Sequence, residues 1–181
     1  MSGHNKWSQI KRQKGVTDAK KSQAFSKMAQ NIAFAARKGD KPDSNVELKH
    51  AIEKAKELNM PIDNIERAIK KGAGKLEGGA LEEVKFEAYG PGGVAIIIEG
   101  ITDSTNRTVA EIKNILNKSG VGKWAETGSV TWAFTKNAPP AGGWTAKHTV
   151  EINDSDRESL NKLLEALDDQ NDVQELYTNE A

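Results

Sequence analysis

The chain has 181 residues, 36% hydrophobic and 29% charged, and its 26 Lys and Arg balance 26 Asp and Glu; this is the make-up of a globular protein of one or two domains. It contains no cysteine, which excludes disulfides, thiolate nucleophiles and Cys-based zinc sites. No apolar run reaches the roughly 18 residues of a membrane span and no apolar signal-peptide region follows the basic start, so the expectation is an uncleaved cytoplasmic chain.

The neutral total hides a segregation of charge. Residues 1–41 hold ten Lys or Arg against Asp18 and Asp40, a net of +8, so residues 42–181 carry −8. An end this basic on a chain this acidic is expected to meet a polyanion. The rival readings are a solvated tail, or a tail that docks on the protein's own acidic part.

In chain order, the opening "GHNKWSQIKRQKG" sets Trp7 and Ile10 among cations. Two readings of Trp7 stand: an apolar clasp with Ile10 that anchors the arm on the protein, which is favoured, or a ring that stacks on a base. Next, "TDAKKSQAFSKMAQNIAFAARKG" spaces Phe25, Met28, Ala29, Ile32 and Ala36 at helical intervals, with Lys20, Lys21 and Lys27 off that stripe and Gly39 as a C-terminal cap. A second helix is expected from a Ser44 to Glu47 capping box, with Leu48, Ile52, Ala55 and Leu58 inward and Pro61 as its stop. A third, "IDNIERAIKKG", groups Ile62, Ile65 and Ile69. Three short-linked amphipathic helices predict a small bundle.

The glycine-rich "GAGKLEGGA" reads as a linker, giving a basic arm plus helical domain over 1–75 and a second domain over 80–181. There "EVKFEAY" alternates as a strand, "YGPGG" turns, and "VAIIIEGI" is a central strand. A helix follows with a Thr108 to Glu111 capping box and Val109, Ile112, Ile115 and Leu116 inward. "SVTWAF" is expected as a strand with Val130, Trp132 and Phe134 on one face, then come the loop "TKNAPPAGGW" and a strand "HTVEI". A helix with Leu160, Leu163, Leu164 and Leu167 inward and a strand "DVQELY" complete the chain. The fold class is thus α+β: a three-helix domain, then a ferredoxin-like βαββαβ sandwich with one extra N-terminal strand.

No motif calls for a cofactor or a metal. "YGPGG" lacks the GK[ST] ending of a P-loop and Pro91 removes a backbone donor. "GVGKW" has Trp124 where a magnesium-binding Ser or Thr would stand. His4, His50 and His148 share no ligand spacing, and no nucleophile, base and orienting group assemble. The expectation is therefore a protein that is not an enzyme.

The segments "SGHNKWSQIKRQKGVTDAKKSQAFSKM", "MPIDNIERAIKKGAG", "YGPGGVAIIIEGITDSTNRTVAEIKNIL", "ETGSVTWAF" and "LDDQNDVQELYTN" resemble, in order, the signature segments of the YebC/PmpR family, whose mitochondrial members include the translational activator of cytochrome c oxidase. The resemblance implies three domains, the third inserted between "SVTWAF" and "HTVEI"; this chain has only the loop 135–144 there. It implies a nucleic-acid-binding regulator, with members described as DNA-binding transcriptional regulators and as ribosome-associated factors that help translation past difficult sequences such as proline runs. It carries His4, Lys6, Trp7, Lys11 and Lys14 over as nucleic-acid contacts, and Tyr89, Gly90, Pro91, Gly92 and Gly93 as a shaped functional loop. Arg12, Lys20, Lys21 and Lys27 extend the basic set. The expected partners are ribosomal RNA and the ribosome, with DNA as the alternative and a protein-interaction adaptor as a further one. No base-reading motif decides between RNA and DNA.

Overall fold

The structure is a computed structural model and describes residues 18–139 and 141–181. They form two compact units: residues 18–83 with Ile101–Ser104, and Val84–Gly100 with Thr105–Ala181. Among the described residues no helix is long and apolar enough to cross a membrane.

The first unit is built on helices α1 (Asp18–Ala36), α2 (Val46–Glu57) and α3 (Ile62–Gly72). The three-and-four spacing of apolar residues delivers Ile32, Ala35, Leu48, Ala55, Ile65 and Ala68 to one core, with Phe25, Met28 and Ile69 at its margin. Small residues on α1 let α3 come close, and a Cβ at Gly72 would sit 2.0 Å from the Ala33 carbonyl oxygen.

Three expectations for this unit are corrected. The cap of α2 is Asn45, whose Oδ1 accepts the Leu48 N–H at 3.1 Å, because Ser44 is taken up in a 3-10 turn, Pro42–Ser44. Glu47 instead receives Lys38 at 2.8 Å. Leu58 and Ile62 are 46% and 68% exposed: they flank the α2–α3 connection, and Met60 between them fills the core in their place.

The second unit contains strands β1 (Glu82–Tyr89), β2 (Ala95–Thr102), β3 (Lys123–Ala125) and β6 (Val173–Thr178) in the order β3-β1-β2-β6. β3 runs antiparallel to β1 with Ala88 opposite Trp124, and β6 antiparallel to β2 with Ile98 opposite Leu176. Helices α4 (Thr105–Ser119) and α5 (Asp154–Asp168) cover one face, where Phe86, Ile96, Ile98, Ile112, Leu116, Leu160 and Leu164 pack. On the other face Ala95 and Ile97 pack with Val130, Phe134, Trp144 and Tyr177, contributed partly by a hairpin of β4 (Phe134–Lys136) and β5 (Trp144–Ala146). With both faces covered, β2 is apolar at consecutive positions from Ala95 to Ile98, which is why "VAIIIEGI" does not alternate there.

The α+β class, the N-terminal helices and the helix-covered sheet stand, while the strand assignment changes. β1, the extra strand in chain order, lies inside the sheet, and the edge strands are Lys123–Ala125 and Val173–Thr178. "SVTWAF" is not a sheet strand: Thr131–Ala133 is a 3-10 turn, and only Phe134 enters a strand, in the separate hairpin. "HTVEI" makes only an isolated bridge, Val150 with Glu180. Thr108 lies inside α4, which starts at Thr105, and not at its cap position; its hydroxyl donates to the buried Asp172 at 2.7 Å.

Candidate nucleic-acid interface

Six of the expected contacts, His4, Lys6, Trp7, Lys11, Arg12 and Lys14, lie outside the described residues. Of the other three, Lys20 and Lys21 are exposed in the first turn of α1, whereas Lys27 is 7% exposed and is not a surface cation. Nearby cations are partly neutralised: Lys38 meets Glu47 at 2.8 Å and Lys75 meets Asp40 at 2.6 Å. Ser22, Phe25, Ala29, Met60, Arg67 and Lys71 belong to the walls of a groove of about 430 Å³ between α1 and α3. Its lining is mainly apolar and includes the two cations.

The loop Tyr89 to Gly93 is shaped by the second unit. Gly90 N–H donates to Val94 O at 2.8 Å, closing the turn, and Gly90 and Pro91 are buried. Gly92 has φ +67°, and a Cβ there would lie 2.5 Å from Ile152 Cγ2, so the residue must be glycine on two counts. Gly92 and Gly93 remain exposed. The tyrosine hydroxyl of Tyr89 donates to Ser129 O at 2.9 Å, tying this turn to the segment 126–132.

That segment is organised by a residue the sequence reading passed over. Glu87, 2% exposed, accepts the N–H groups of Gly128 and Val130 at 2.8 Å each, the Thr131 N–H at 3.2 Å and the Thr131 hydroxyl at 2.6 Å. Lys85 adds its charge at 3.4 Å. Burial raises the carboxyl's pKa, but the Thr131 hydroxyl, the two N–H groups and Lys85 together prevail and lower it to about 2. Glu87 is thus an ionised strut. The signal in the sequence was the donor-rich "TGSVT", which needs an acceptor once buried.

The segment ends in Trp132, which was expected on one strand face with Val130 and Phe134; those two are buried and Trp132 is 59% exposed. Its indole N–H donates to Ser129 O at 2.8 Å, and its ring lies 5.5 Å from that of His148 at a 40° tilt. Elsewhere His50 sits exposed beside Glu53 at 3.5 Å. Among the described residues no group of three His, Asp or Glu side chains is placed to hold a metal ion.

Two further buried acids are also structural. Asp172 takes Thr108 and Arg107, the latter at 2.9 Å, and Glu180 takes Arg157 at 2.5 Å. Asn179 accepts the Ala95 N–H at 2.7 Å and donates to His148 O at 2.8 Å. The motif "LDDQNDVQELYTN" therefore closes the sheet.

Residues 5–75 match the family model for the TACO1/YebC protein N-terminal domain, and residues 81–139 and 141–180 match that for the TACO1/YebC second and third domain. A protein of Dehalococcoides mccartyi named probable transcriptional regulatory protein is 46% identical over 98% of this chain and 70% of its own length. A like-named protein of Kosmotoga olearia is 40% identical in an alignment 237 residues long that covers 99% of this chain and 94% of the relative. The crystal structure of a conserved hypothetical protein of Aquifex aeolicus superposes with a TM-score of 0.84 at 32% identity, covering 97% of this chain and 96% of that one. With the two family models together matching residues 5–75, 81–139 and 141–180 and relatives aligned along nearly the whole chain, the protein belongs to the TACO1/YebC family.

Proposed function

We propose that this chain is a non-enzymatic, nucleic-acid-binding regulator of gene expression whose basic N-terminal region contacts ribosomal RNA and which acts on the translating ribosome. The observation that carries the reading is the net +8 of residues 1–41 on a chain otherwise at −8. Charge so concentrated supplies phosphate affinity without base specificity. His4, Lys6, Trp7, Lys11, Arg12 and Lys14 are the first contacts, with exposed Lys20 and Lys21 extending them along α1; Lys27, being buried, contributes at most a long-range field.

The loop Tyr89 to Gly93 is the second element, a rigid turn presenting the backbone of Gly92 and Gly93. Buried Glu87, Asp172 and Glu180 are each committed to fixed partners, which supports a scaffold rather than an enzyme. The domains in this reading are the arm with the helical bundle, 1–75, and the α+β domain, 80–181, with 135–144 in place of the family's third domain. The break in the family match at residue 140, and an alignment of 237 positions to a chain of 181, support that placement. The cytoplasm is the matching compartment.

A second reading, DNA-binding transcriptional regulation, is favoured by the names the relatives carry. Ultraviolet crosslinking in cells, followed by sequencing of the recovered nucleic acid, separates the two. Ribosomal RNA crosslinks concentrated at one site are expected; discrete DNA loci with ribosomal RNA at background would replace the first reading by the second. Loss of all polyanion binding would leave a protein-interaction adaptor.

A further inference from the structure

Trp132 is held outward by design of its surroundings. The Glu87 carboxylate fixes the backbone of residues 128–131, and Ser129 O then accepts both the Trp132 indole N–H at 2.8 Å and the Tyr89 hydroxyl at 2.9 Å. The polar edge of the indole is thereby satisfied within the protein, and a ring 59% exposed is left in a set orientation. A flexible surface tryptophan needs no such bracing. The ring's neighbour is the imidazole of His148, 5.5 Å away.

Local charge identifies the occupant. The N–H groups of Lys147 and His148 donate to Ala133 O at 2.9 and 3.3 Å, which sets both residues beside Trp132, and Lys85 Nζ lies 3.3 Å from the Thr131 hydroxyl. Residues 126–148 contain Lys136 and Lys147 against Glu126 alone, reversing the acidic balance of residues 42–181. Lys85 and Lys136 lie over the Trp144 ring, at 5.2 and 5.6 Å, which leaves exposed Lys147 as the cation beside Trp132. An exposed aromatic face with a lysine and an imidazole beside it is the chemistry of a single-stranded nucleic-acid contact, in which the ring stacks on an unpaired base while the lysine meets a phosphate.

We propose that Trp132, with His148 and Lys147, forms a base-stacking platform for single-stranded RNA. This rests on the RNA-binding reading above and adds a second contact to it.

The test uses the full chain and a labelled single-stranded oligouridylate, titrated over a range of salt. Trp132→Ala should weaken binding by about 5- to 150-fold, and Trp132→Phe, which keeps a ring, by no more than about threefold. Because stacking releases no counterions, Trp132→Ala should leave the salt slope unchanged, whereas Lys147→Ala should reduce it by about 0.7. Peptides crosslinked to the RNA should include residues 128–136. Trp132→Ala binding as tightly as the unaltered chain, or an equal loss in the phenylalanine variant, overturns the platform and leaves the proposed function standing. Failure of the unaltered chain to bind any RNA overturns both.

Discussion

Glu87 and Thr131 are joined twice: one carboxylate oxygen accepts the Thr131 hydroxyl at 2.6 Å and the other accepts its backbone N–H at 3.2 Å. Each oxygen also receives an N–H, from Gly128 and from Val130. A carboxamide cannot replace this set, because its NH2 would face two donors. Glu87→Gln should therefore destabilise the protein by about 2 to 4 kcal/mol. Urea unfolding followed by tryptophan fluorescence reads this directly, as Trp124, Trp132 and Trp144 all belong to the same unit as Glu87. A loss below about 1 kcal/mol would mean that the 126–132 segment is held by its packing instead.

The same group sets a pH dependence. Its folded pKa of about 2 is below the ordinary 4.5, so the unfolded chain binds the proton more readily. The stabilisation is complete above about pH 5 and is lost as pH falls through 4.5 towards 2; its full size is on the order of 3 kcal/mol. Urea midpoints measured between about pH 6 and pH 3 should fall in the unaltered protein and fall less steeply in Glu87→Gln. Parallel curves would assign the acid sensitivity to other carboxylates.

The contrast between Glu87 and its neighbours shows what the sequence could convey. Period-two alternation sets Val84, Phe86 and Ala88 on one face, which in the structure is the helix-covered one, and helical spacing found the core leucines of α5. Alternation leaves Glu87 on the opposite face, and nothing local says that a segment about forty residues later folds back over it. The same long-range bonds explain the failed strand at "SVTWAF": N–H groups of residues 128, 130 and 131 go to a side chain and are withheld from a ladder. Lys123–Ala125 was missed because three residues carry too little pattern. The constrained shape of "YGPGG", in contrast, was legible from its three glycines and its proline, while the charge reading of the arm falls on residues outside those described.

Asn45 illustrates a cap with three duties. Its Oδ1 accepts the Leu48 N–H, and its Nδ2 donates to Ala35 O and Gly39 O, both at 2.8 Å, joining the start of α2 to the end of α1. Asn45→Ala should cost about 2 to 3 kcal/mol, since a cap is worth about 1 and two carbonyls lose their donor. Asn45→Asp keeps the cap but sets a carboxylate against two carbonyl oxygens, so it should not restore stability. Thermal melts by circular dichroism compare the three proteins. Full recovery in the aspartate variant would reduce Asn45 to a simple cap.

Gly92 should separate shape from chemistry in the loop. Alanine there meets Ile152 Cγ2 at 2.5 Å and adopts a left-handed backbone, whereas a Cβ at Gly93 meets nothing within 4 Å. Gly92→Ala is expected to cost about 2 to 4 kcal/mol, and Gly93→Ala about 1 to 2, the backbone strain alone. Equal losses by chemical denaturation would show that Ile152 yields. A Gly93→Ala protein that is stable yet fails in cells would point to the loop surface as a working contact.

The basic arm gives the most direct test of the functional proposal. If Lys6, Lys11, Arg12 and Lys14 each touch a phosphate, replacing all four by alanine removes four counterion-releasing contacts. The slope of log affinity against log salt should then flatten by about 3 to 4 units, at ~0.7 to 0.9 per contact. Trp7 divides the remaining alternatives. As an anchor, Trp7→Ala should lower the thermal stability of the protein with little change in slope; as a stacking ring, it should leave stability intact and weaken binding by roughly 1 to 3 kcal/mol. An unchanged slope in the fourfold variant would take the arm off the binding surface, and the exposed cations of α1 would then have to account for the affinity. Two lysines there, Lys20 and Lys21, would support a slope of no more than about 2, so the measured slope of the unaltered protein itself discriminates between the two surfaces.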